Sequence, residues 1–80
     1  MANQFAAMTK LARAQVSRRP IDSSLLSVTV NGGVVHMTGV LRKLRTHPNV
    51  SLDEEMKLIS LALRQQPGIH EIVWEVTIRI

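Results

Sequence analysis

The sequence contains no cysteine and no tyrosine, and Phe5 and Trp74 are its only aromatic residues. Without cysteine, the chain cannot form a disulfide scaffold, a thiolate metal site or a cysteine nucleophile. Two aromatic side chains are too few for the stacking surface on which proteins bind single-stranded nucleic acid. The composition therefore argues against thiol chemistry and against binding of single-stranded nucleic acid by stacking.

Long apolar runs are also missing. No segment approaches the ~18 apolar residues that a membrane-spanning helix needs. The opening residues, MANQFAAMTKLARAQ, lack the apolar centre of a secretory signal. We therefore expect a cytoplasmic protein if these residues are the whole chain, and an envelope or periplasmic domain if they are a fragment of an exported protein.

The composition is that of a small globular domain. The chain has 80 residues, 45% of them apolar, and a formal net charge of +4. This length supports a single domain, residues 1–80, and the apolar content is that of a folded protein. The positive charge favours acidic partners, but only modestly.

Hydrophobic periodicity predicts two helices and three strands. Apolar residues at three- and four-residue spacing indicate helices, and alternating apolar residues indicate strands. The predicted helices cover residues 4–18 and 51–66, and the predicted strands cover residues 24–31, 34–41 and 70–80.

Local signals support these elements. Asn31-Gly32-Gly33 lies between two β-branched runs, which predicts a hairpin with a type I′ turn, because that turn needs positive φ at both central residues. Gly39 indicates a bulge or a close approach of a helix backbone. Ser51 and Glu54 form the pattern of a helix capping box.

The order of elements predicts an α+β fold with a two-layer αββαβ arrangement. Each strand has one strongly apolar face, so both helices should pack on one face of a three-stranded mixed sheet. The second helix is a crossover, which makes strands two and three parallel. We place the first strand between them.

Three stretches of the chain resemble the BON domain, a bacterial module of osmotically induced and nodulation proteins. They are VTVNGGVVHMTG at residues 28–39, QQPGIHEIVWEVTI at residues 65–78, and the opening helix with its link to the first strand. The loop RKLRTHPNVSLDEE is longer than the family usually has. The resemblance implies a non-catalytic, often envelope-associated module that contacts phospholipid surfaces, proteins, small ligands or ions; similar folds build rings in secretion and sporulation assemblies.

Two surfaces are candidate binding sites. The first is a basic loop after the second strand, and its cations could contact anionic lipid head groups or phosphates, or could simply be solvated. Its residues are Arg42, Lys43, Arg45 and His47. The second is the sheet face away from the helices, where a protein partner or a weak homo-oligomer could dock. Its residues are Thr29, His36, Thr38, Val73 and Thr77.

The sequence offers no constellation for catalysis, a metal or a cofactor. His36, His47 and His70 are too far apart for metal-ligand spacing. Asp53, Glu54 and Glu55 are consecutive, so helix capping and the helix dipole account for them. We therefore expect a non-enzymatic interaction or assembly module that associates with a protein or a membrane surface.

Two rival functions remain open from the sequence. The alternative is a small-ligand or ion sensor. A nucleic-acid binder is disfavoured, because the glycine loop of a KH domain and the aromatic stripe of an RRM are both missing.

Overall fold

The computed structural model describes residues 4–79, and the side chains of residues 7–79. It has an α+β fold with two helices and a four-stranded sheet. In chain order, the elements are α1 (Gln4–Ser17), β1 (Ile21–Asp22), β2 (Leu26–Asn31), β3 (Val34–Lys43), α2 (Leu52–Arg64) and β4 (Glu71–Arg79). The last residue of the predicted third strand, Ile80, lies outside the described residues.

The sheet is built around β3. This strand pairs antiparallel with β2, from Leu26 opposite Gly39 to Asn31 opposite Val34. It pairs parallel with β4 along its other edge, which confirms the predicted parallel pair. Our placement of the first predicted strand at the centre is wrong: the crossover through α2 returns the chain directly beside β3, so β3 is central.

The fourth strand, β1, was not predicted. Ile21 pairs with Lys43, and Asp22 pairs with Arg42. Because Arg42 also pairs with Arg79 of β4, β1 must lie on the same edge of β3 as β2. The β1 and β2 segments therefore form one interrupted edge, and the three-stranded sheet of the prediction becomes four-stranded.

The hairpin between β2 and β3 has the predicted turn. Gly32 and Gly33 are its two central residues, with φ values of 59° and 80°. Both angles are positive, as a type I′ turn requires. The prediction of the hairpin is confirmed.

Gly39 allows the backbone at Leu25 to approach β3 closely. It has a φ of 104°, and a Cβ added there would lie 2.2 Å from the carbonyl oxygen of Leu25. The same oxygen accepts a hydrogen bond from the amide of Val40 at 3.1 Å. The close approach therefore comes from the turn between β1 and β2, and not from a helix.

Helix α2 begins at the predicted cap. The Ser51 side chain accepts a hydrogen bond from the amide of Glu54 at 3.3 Å. The helix ends at Arg64, before the predicted end at residue 66. Gly68 then adopts a φ of 91° in the loop that leads into β4.

A single core lies between the helices and the sheet. Its buried residues come from both helices and from alternating positions of the strands, so both helices cover the same face. They are Ala12, Val16, Ile21, Val28, Val30, Val35, Met37, Leu41, Leu52, Ile59, Leu63 and Ile69. The opposite face of the sheet carries the remaining strand positions, and no described element covers it.

Candidate functional site

Strand β4 forms a long outer edge of the sheet. It runs for nine residues without proline or glycine. Its inner edge pairs with β3, and no other strand within residues 4–79 pairs with its outer edge. The opposite edge of the sheet is different, because residues 23–25 turn away between β1 and β2 and interrupt it. An uninterrupted edge is a ready template for pairing with another strand.

The apolar row of β4 is only partly covered. Ile72, Trp74 and Val76 are half-buried, and Ile78 is 42% exposed. The sequence predicted a buried apolar face for this strand, and the structure buries that face only in part. The reason is that α1 packs mainly against β2, so the cover over β3 and β4 comes mostly from α2.

A groove of about 500 Å³ follows the boundary between α2 and β4. Met56, Leu61 and Trp74 form its apolar lining, and Leu61 is 59% exposed. Its other lining residues are polar or charged: Asp53, Lys57, Ser60 and Arg64. The Trp74 Nε1 donates a hydrogen bond to Ser60 Oγ at 2.8 Å. That bond supplies the acceptor that a buried indole requires, although Trp74 lies at the margin of the core and not inside it.

The other face of β4 carries unmatched charges. Glu75 and Arg79 are both exposed, and neither belongs to a salt bridge within the described part of the chain. Arg79 lies opposite Arg42 in the sheet register. Arg42 is already paired with Asp22, with 2.9 Å between Arg42 Nη2 and Asp22 Oδ2. Two like charges therefore lie side by side at the end of the sheet.

The predicted partner face is assembled on one side of the sheet. Thr29, His36 and Val73 form one row across β2, β3 and β4. Thr38 lies opposite Ser27 and Glu75, and Thr77 lies opposite Val40. The placement on the open face is as expected, and the binding role of these residues stays a prediction.

The four cationic residues of the predicted basic loop do not lie in one loop. Arg42 and Lys43 belong to β3, which continues beyond the predicted end because β1 and β4 both pair with it there. Neighbouring residues of a strand point to opposite faces, so these two cations diverge. Arg45 and His47 follow in an exposed turn, closed by a hydrogen bond from the His47 amide to the Leu44 carbonyl.

Comparison with protein-family models, curated proteins and solved structures found no match. The function is therefore inferred from the residues and their geometry.

Sequence reasoning missed an ion pair between the helices. Glu55 is 8% exposed, and Arg19 donates two hydrogen bonds to its carboxylate, at 2.5 and 3.0 Å. These bonds hold the pKa of Glu55 below its ordinary value despite desolvation, and they raise the pKa of Arg19. The signal was present, because Glu55 is three residues after Leu52 and four before Ile59, on the buried side of α2.

Two kinds of site are not found in the described residues. No group of three or more His, Cys, Asp or Glu side chains there could hold a metal ion. Within the same part of the chain, neither helix combines the length and the apolarity needed to cross a bilayer.

Proposed function

We propose that this chain is a non-catalytic protein-assembly module of the BON type, which docks an extended partner segment along the outer edge of β4. The observation that carries the proposal is the combination of a nine-residue unpaired edge with an apolar row that α2 leaves partly open. A partner strand would complete both features at once.

The physical basis is strand addition. Backbone amides and carbonyls of an added strand bond to the free edge, and alternate side chains of that strand enter neighbouring pockets. The groove between Met56, Leu61 and Trp74 is such a pocket. It lies on the apolar side of β4 beside Trp74, so partner side chains that fall next to Trp74 on that side would face it.

The BON assignment rests on the sequence resemblance and on element order. If β1 is treated as an extension of the β2 edge, the chain reduces to a two-layer αββαβ arrangement with the hairpin at Gly32-Gly33. A non-catalytic role is supported by Glu55, since this one buried carboxylate among the described residues is committed to Arg19. The geometry does not favour the anionic-surface alternative, because Arg42 is paired with Asp22 and diverges from Lys43.

Selection of peptides tests the docking site. A phage-displayed library of random linear peptides would be selected on the immobilised full chain. Thr77→Lys places a bulky cation on the exposed face of β4, and Thr29→Lys makes the same change on the exposed face of β2. We expect enriched peptides with alternating apolar residues, which bind wild type and Thr29→Lys but lose binding to Thr77→Lys.

The matched variants make the result decisive. Both threonines are exposed strand residues on the open face, so circular dichroism should show that both variants fold. Peptides that bind all three proteins equally would overturn docking at β4, and so would a library that yields no binder together with a full chain that does not self-associate.

A further inference from the structure

We infer that the partner strand is β4 of a second copy of this chain, paired antiparallel about a twofold axis at Thr77. In this arrangement Glu75 of each copy lies opposite Arg79 of the other. The inference rests on the proposed function, because it names the partner for the same edge.

The alternation of β4 allows this pairing. Residues directly opposite each other in an antiparallel pair point to the same face of the sheet. With Thr77 opposite its own copy, Val76 lies opposite Ile78, so the apolar rows join into one continuous row. A shift by one residue would place the apolar row of one copy on the polar face of the other.

The charges of the edge favour the same register. Arg79 faces Arg42 within its own chain, and Arg42 is already bound to Asp22. The carboxylate of Glu75 in a second copy would supply a counter-charge for Arg79, which forms no salt bridge with the residues that the structure describes. The twofold axis makes this contact twice, and opposite charges across a strand pair are stabilising.

The register centred on Glu75 would pair all nine residues of β4, against residues 75–79 in the register centred on Thr77, but its charges are less favourable. It would match Glu71 with Arg79, but it would also place the two Glu75 carboxylates directly opposite each other. Like charges directly opposite are destabilising. The register centred on Thr77 has two opposite-charge pairs and a threonine pair, with no like-charge pair between the strands.

The closing experiment is a charge-swap mixture. Sedimentation equilibrium of the full chain, up to about 1 mM, would detect a dissociation constant in that range. We expect wild type to dimerise. Glu75→Arg and Arg79→Glu should each weaken self-association by roughly tenfold or more, because each turns two attractive pairs into repulsive ones.

Mixing the two variants restores complementarity. One copy then presents two arginines and the other two glutamates, so both cross-strand pairs attract. We expect the mixture to associate at least as well as wild type. Glu71→Arg is the matched control: it reverses the same charge on the same strand and face, outside the paired residues, and should leave dimerisation unchanged.

Three results would overturn the inference. They are a wild type that stays monomeric, a mixture that associates no better than its components, and a Glu71→Arg variant as impaired as Glu75→Arg. A monomeric wild type that still selects peptides sensitive to Thr77→Lys would refute the homotypic partner alone. Failure of both experiments would refute the proposed function as well.

Discussion

At the scale of the single residue, Gly39 has the strictest requirement among the glycines. Its φ of 104° is outside the regions that other residues populate, and the Leu25 carbonyl occupies the space of a Cβ. Gly32 also has a positive φ, but no atom lies within 4 Å of a Cβ built there. A side chain at Gly32 would meet backbone strain alone, whereas a side chain at Gly39 would meet both strain and a steric clash.

We predict that Gly39→Ala costs more stability than Gly32→Ala. The Gly32 variant should lose ~1–2 kcal/mol, the cost of the left-handed conformation for a residue with a Cβ. The Gly39 variant should lose a further ~1–3 kcal/mol, because β3 or the turn at Leu25 must shift. Urea unfolding of both variants measures the difference in the free energy of unfolding. Equal losses of stability would show that the turn at Leu25 moves without cost and would contradict the prediction.

Trp74 is half-buried at the boundary between α2 and β4. It lies in an alternating apolar run, and an indole that is buried needs a hydrogen-bond acceptor. Ser60 meets that need. That the indole lies at an open margin depends on how far α2 extends over β4, which no property of residue 74 reveals.

At the scale of the element, the Arg19–Glu55 pair joins the end of α1 to the first turn of α2. Arg19 follows the last helical residue, Ser17, by two positions, and its guanidinium reaches across to the other helix. The pair is shielded on the carboxylate side, since Glu55 is largely buried. Losing one partner would leave the other without its counter-charge.

This pair makes stability dependent on pH. The pKa of Glu55 is lowered by the hydrogen bonds from Arg19, so the folded state favours the ionised carboxylate. The resulting stability is present above the unfolded-state pKa and is lost as the pH falls through the folded-state pKa. We predict that Glu55→Gln lowers the melting temperature at pH 7, and that the difference from wild type shrinks to nothing in acid.

Glu54→Gln is the matched control for this prediction. It removes the same charge from the same turn of α2, but its side chain is exposed and belongs to no salt bridge in the described residues. Both variants lose an interaction with the helix dipole, so their difference isolates the contact with Arg19. A Glu55→Gln variant whose melting temperature matches that of Glu54→Gln at every pH would contradict the account.

The elements predicted well from the sequence are those set by neighbouring residues. The turn at Gly32-Gly33 and the cap at Ser51 depend on residues within three positions, and both were confirmed. The elements predicted poorly depend on distant contacts. β1 has two residues, too few for a periodic signal, and only its pairing with Arg42 and Lys43 of β3 defines it.

Strand order and the Arg19–Glu55 pair were beyond the sequence for the same reason. The central position of β3 follows from the path of the crossover, and the ion pair joins residues that are 36 positions apart. The candidate partner face was assembled as predicted, because alternation alone assigns each strand residue to a face. The edge position of β4 agrees with the predicted strand order, although that order wrongly placed the first predicted strand at the centre.

At the scale of the whole molecule, the sheet has one interrupted edge and one continuous edge. The β1–β2 edge is interrupted by a turn, while β4 is nine residues long and no strand among the described residues pairs with its outer edge. Pairing of two copies through β4 would turn a four-stranded sheet into an eight-stranded one. It would also join the two open faces, including Thr77 and Val73, into a single surface.

Amide hydrogen exchange, followed residue by residue at low and high protein concentration, measures directly whether two copies pair through β4. We expect the outward-facing amides within residues 75–79 to exchange more slowly as the concentration rises, while the β2 amides on the interrupted edge exchange at an unchanged rate. A β4 that exchanges equally fast at every concentration, or protection that appears on β2 instead, would contradict this pairing.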